Sequence, residues 1–187
     1  MKKILSVAAV LMVLFVGCSE QMSVNSPVGK VNTEEPNWIA LPQAEGMQVN
    51  EIVSILKTID GSKGGSIELN NIYWGGTFGT VTLTSSLAFP KDSHKGKVTF
   101  TVSHDDVTCV STFGPSYTFQ KNLILNVKYT GVNLTGINPS TVKFAYLASD
   151  GSVQIAQHEG ITVDASTGTL SVKNAKIPHF SRYGFVN

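Results

Sequence analysis

From about residue 50 onward, apolar residues come in short runs of strand length, with Gly, Asn, Asp, Pro or Ser between them. The clearest stretch places Leu123, Leu125, Val127 and Tyr129 in alternation with Asn122, Ile124, Asn126 and Lys128. A period of two gives such a strand one core face and one mostly wet face. Further strands are expected over Ile52 to Ile59, Ser66 to Trp74, Thr80 to Leu83, Lys97 to Val102 and Val107 to Thr112. The remainder are Val142 to Leu147, Val153 to Gln157, Ile161 to Asp164, Thr169 to Val172 and His179 to Val186. Hairpin turns fit Asp60 to Gly65, Ser149 to Ser152 and Ala165 to Gly168, whose residues tolerate positive φ. Met47 to Leu56 has a second reading as a short amphipathic helix. Many short strands at regular spacing predict an all-β chain, a single antiparallel β-sandwich domain.

The N-terminal pattern is different. Met1, Lys2 and Lys3 precede fourteen apolar or small residues, Ile4 to Gly17, which form a charged n-region and an h-region. A spanning helix needs about 20 such residues, so the run reads as an export signal. It stops at Leu14-Phe15-Val16-Gly17-Cys18, which resembles the lipobox of bacterial lipoproteins. That resemblance implies removal of residues 1–17 and lipidation of Cys18, whose two acyl chains give lasting anchorage where one binds marginally. Ser19 after the cysteine suggests the outer membrane or cell surface as the destination within the cell envelope. Residues 18–46 carry Ser, Asn, Pro, Gly and Glu without sustained apolar periodicity and read as a tether. Trp38-Ile39-Ala40-Leu41 is the exception, expected to pack on the domain or form a short strand. The domain itself is assigned to 47–187, long enough for one core that buries about two-thirds of the unfolded surface.

Composition narrows the function. The chain has 14 Lys and Arg against 13 Asp and Glu. Loss of Lys2 and Lys3 would leave 12 against 13, with no strong basic cluster, so nucleic acid is not an expected partner. Lipidation of Cys18 leaves Cys109 alone, and its β-favouring neighbours Val107, Thr108 and Val110 predict a buried, inert thiol.

Several segments together resemble the β-sandwich family named for zonula occludens, netrin receptors and ankyrins, often written ZU-five. They are Lys63-Gly64-Gly65, Leu87-Ala88-Phe89-Pro90-Lys91 before Lys97 to Val102, Phe113-Gly114-Pro115, Phe119-Gln120-Lys121 and the closing His179-Phe180-Ser181-Arg182-Tyr183. They span residues 52–187 in the family's order, and the resemblance implies an adaptor or interaction role, an analogy at fold level.

Some relatives cleave themselves within the His-Phe-Ser tripeptide. Here Ser181 Oγ would attack the Phe180 carbonyl while His179 accepts the proton, and the ester would then hydrolyse. The plainer reading is that a terminal strand uses these residue types for packing. Trp74, with Tyr73, and Trp38 could form an aromatic platform for sugar rings, against a core-packing alternative. His104-Asp105-Asp106 with His94 has metal-ligand chemistry, but neighbours in a strand face opposite ways and a turn explains the run more simply, so no metal or cofactor is expected. There is no Gly-x-Ser-x-Gly elbow. The sequence therefore points to a lipid-anchored, non-enzymatic interaction or structural module. Its partners are the membrane, through Cys18, and an envelope or extracellular protein or glycan.

Overall fold

The computed structural model describes residues 35–44, 53–148 and 150–187. The export signal, Cys18, the first part of the tether and residues 45–52, which hold the start of the alternative helix, lie outside the described residues.

The described residues form two antiparallel sheets packed face to face, a β-sandwich. Eleven strands carry it: β1 Val53–Asp60, β2 Gly65–Trp74, β3 Thr80–Phe89, β4 Lys97–His104, β5 Val110–Gly114 and β6 Thr118–Thr130. They are followed by β7 Lys143–Leu147, β8 Val153–Ile155, β9 Gly160–Asp164, β10 Thr169–His179 and β11 Arg182–Val186. One sheet has the order β1-β4-β5-β11-β7-β8 and the other β2-β3-β6-β10-β9. Among the described residues no helix is long and apolar enough to cross a membrane.

Alternation explains the sheets' faces. Leu123, Leu125, Val127 and Tyr129 of β6 are all buried, and Ile67 and Leu69 of β2 join them from the same sheet. The facing sheet contributes Phe100, Phe144, Tyr183 and Phe185, each withdrawn from solvent, so side chains of both inner faces make one core.

Two expectations are corrected in detail, and one alternative reading falls away. Asp60 to Gly65 is not a hairpin: β1 pairs with β4 and β2 with β3, so the turn carries the chain from one sheet to the other. Val53 to Leu56 belongs to β1, not to a helix. His179 to Val186 is not one strand, because β10 ends at His179 and β11 begins at Arg182 in the opposite sheet. Phe180 and Ser181 are the crossing. The sequence also understates β3 and β10, which run on to Phe89 and His179.

Trp38 to Leu41 packs on the domain as a short strand-like clip. Trp38 bridges Val186 and Ala40 bridges Thr108. The Ile39 N–H donates to Phe185 O at 2.9 Å, and the Cys109 N–H donates to Ile39 O at 2.8 Å. The domain thus takes in residues upstream of 47. Gly184 makes room for this clip. A Cβ there would lie 2.8 Å from Cys109 O and 3.0 Å from the Trp38 ring, so the central strand β11 needs a residue without a side chain.

Candidate functional site

One end of the sandwich holds a cavity of about 150 Å³ between β1 and β4 on one side and β2, β3 and β6 on the other. Inward positions build it. Val53, Leu83 and Leu41 supply apolar wall, the last from the N-terminal clip. Tyr73 from β2, Tyr129 from β6 and His104 from the end of β4 supply polar groups. Trp74, 60% exposed, and Ile72, 70% exposed, stand at the rim on the solvent-facing side of β2.

The polar groups here lack partners. Tyr73 Oη, Tyr129 Oη and His104 Nε2 are buried with no hydrogen bond among the described residues. A buried, unsatisfied donor or acceptor costs about 1–3 kcal/mol, and three such atoms border a single cavity. His104 is held by its other nitrogen, with Ser111 Oγ 2.9 Å from Nδ1. Burial pulls its pKa down to about 4, so the ring is neutral at physiological pH. Burial raises both tyrosine pKa values, with the nearby Cys109 adding to each, so both hydroxyls keep their protons.

Asp105 and Asp106 follow His104 at the cavity. Asp105 accepts from the Val107 N–H at 3.2 Å and from the Thr108 hydroxyl, which closes the turn into β5. The Asp106 carbonyl accepts from Gln43 Nε2, tying the clip to the same turn. His94 is elsewhere, packed edge-on against Phe89 and Phe100 with Nε2 3.2 Å from Ile59 O. Among the described residues no three His, Cys, Asp or Glu side chains are grouped as a metal site. Cys109 is free and buried, and burial raises its pKa, which leaves the thiol protonated.

The His-Phe-Ser tripeptide occupies the inter-sheet crossing. Phe180 plugs the aromatic core, its ring centroid 4.9 Å from Phe119 and 5.3 Å from both Phe100 and Phe113. Ser181 donates its hydroxyl proton to Leu147 O and shares no hydrogen bond with His179. The His179 ring packs edge-on against Tyr146 at 4.9 Å, and its carbonyl accepts from the Tyr183 hydroxyl at 2.9 Å. The nucleophile and base of a self-cleaving arrangement are therefore each engaged with other partners. A cut would also not free a loose peptide, since β11 is central in its sheet, flanked by β5 and β7.

Trp38 and Trp74 do not form one platform. Trp38 is 9% exposed and packs over Gly184, while Trp74 stands in solvent at the cavity rim. Of the two, only Trp74 has a face available to a ligand. The cavity itself was not legible from the sequence. Its polar residues sit on three strands far apart in the chain: the register of β2, β3 and β6 brings Tyr73 and Tyr129 to one end of their sheet, and the packing of the two sheets sets the end of β4, with His104, against them. No family model, curated protein or solved structure matches the chain.

Proposed function

We propose that this chain is a lipid-anchored, non-enzymatic binding module of the bacterial cell envelope, held by acyl chains on Cys18 and binding at the cavity end of its sandwich. The observation that carries the binding half is a cavity bordered by three buried polar atoms with no partner among the described residues, at an edge of the sandwich where Trp74 and Ile72 stand exposed on the outer side of β2. Ligand sites combine apolar walls with a few placed polar groups in this way. The anchoring half is supported by the run Ile4 to Gly17 ending at Cys18. The order of the ZU-five-like segments is compatible with an interaction role.

The engaged side chains of His179 and Ser181 weigh against self-cleavage in favour of a packing role. Glycan binding stays as a second reading on one observation, the free face of Trp74. Fractionation tests the anchor. Expressed in a lipoprotein-processing bacterium, the wild-type chain is expected in the membrane pellet, and the Cys18→Ala variant is expected to leave it. Equal distribution of the two would sink the anchor.

A further inference from the structure

We infer that the inter-sheet cavity binds one aromatic ring that carries hydroxyl groups and no negative charge, and that supplies the hydrogen-bond partners Tyr73, Tyr129 and His104 lack among the described residues. This rests on the reading of the chain as a binding module and names the chemistry of its ligand.

Size comes first. A cavity of about 150 Å³ in a protein core is large enough to take a benzene ring. A wholly apolar cavity of that volume can stay dry, but this one is bordered by two phenol hydroxyls and an imidazole nitrogen with no partner. Those atoms do not reach bulk solvent. No partner for them stands among the described residues, and a ligand that enters the cavity would supply one.

The walls then select among entrants. Leu41, Val53 and Leu83 favour a flat apolar body, which a saturated, fully hydroxylated sugar ring does not offer. The two tyrosine hydroxyls can donate or accept, and the neutral imidazole Nε2 does one or the other according to its tautomer, so a ligand hydroxyl suits each of them. A negative charge is disfavoured, because an anion meets the carboxylates of Asp105 and Asp106 with no lysine or arginine along the cavity among the described residues.

The test titrates the detergent-extracted full chain with resorcinol, with benzoate and methyl glucoside as probes of comparable ring size. Binding is read by calorimetry and by the side-chain nitrogen resonance of His104. Saturable binding of resorcinol that moves that resonance is expected, with benzoate and the glucoside inert. Tyr73→Phe and Tyr129→Phe should each weaken resorcinol binding at least tenfold while leaving the melting temperature equal or higher, because each removes a buried hydroxyl that has no partner among the described residues. No saturable binding, or binding indifferent to both substitutions, would overturn the proposal and leave the cavity to water. Saturation by the glucoside in place of resorcinol would overturn it in favour of the glycan reading. The anchor is judged separately, by the fractionation of Cys18→Ala: a membrane-held chain that ignores resorcinol refutes the ligand alone, and a chain that binds it without lipid refutes the anchor alone.

Discussion

His104 shows how much a single position can carry. It is 1% exposed, keeps Ser111 on one ring nitrogen and leaves the other, at the cavity, without a partner among the described residues. Burial disfavours its charged form, so its pKa of about 4 in the folded chain lies below the ordinary 6.5 of an unfolded one. Between those values the unfolded state binds the extra proton. Stability is thus fully present above about pH 6.5 and is lost as the pH falls toward 4, by about 3 kcal/mol in total. Asp60, Asp150 and Asp164 are held below the usual carboxylate range by Ser62, Ser152 and Ser166, and surrender their contributions only at lower pH. Denaturant midpoints measured from pH 7 down to pH 4.5 should therefore fall steadily for the wild type and much less for His104→Asn, whose amide stands near the position of Nδ1, the nitrogen that meets Ser111. Parallel slopes would contradict this account of His104. The sequence offered little warning of its burial. His104-Asp105-Asp106 reads as a polar turn, and Asp105 and Asp106 do make that turn, yet His104 is the last inward residue of β4, in step with Phe100 and Val102.

At the scale of elements, the crossing between β10 and β11 explains the tripeptide that drew attention in the sequence. Phe180 fills the core between Phe100, Phe113 and Phe119, and Ser181 caps the end of β7 through Leu147 O. Phe180→Ala is expected to cost about 3–5 kcal/mol, as large-to-small changes at buried aromatics do. Ser181→Ala should cost about 1 kcal/mol, the worth of one hydrogen bond. Chemical denaturation of both variants checks the contrast, and equal costs would contradict the packing role. Strands with clean alternation, such as β2 and the second half of β6, were legible from the sequence. Others were hidden for identifiable reasons. β3 continues past Leu83 through Thr84-Ser85-Ser86, where the inward residue is Ser85, a polar side chain buried in an apolar row. β10 carries a bulge at Asn174, at φ 50°, with its N–H donating to Asn126 Oδ1 at 2.9 Å, which shifts the register between Val172 and Ala175 and breaks the two-residue period. Sheet membership was the least legible property. The turn at Asp60 to Gly65 has hairpin chemistry, but the neighbours of β1 and β2 are set by distant strands.

For the molecule as a whole, the proposal joins two ends of the chain. A lipidated Cys18 would be tied to Glu35, the first described residue, by the sixteen residues 19–34, which reach at most about 60 Å when extended. That length lets the domain stand clear of a lipid surface, and the clip from Trp38 to Leu41 fixes the end of the tether to the same corner of the fold as β11. The composition agrees with such a setting, since a near-neutral domain with few charges has little general attraction to nucleic acid. The central claim is that the protein is lipid-anchored and remains whole. Its most direct test is the intact mass of the full-length chain, expressed in a lipoprotein-processing bacterium and extracted from membranes under denaturing conditions, so that a cut strand cannot stay attached unnoticed. The account predicts a species beginning at Cys18 with added acyl mass and ending at Asn187. An unmodified Cys18, or a chain lacking Ser181 to Asn187, would contradict it.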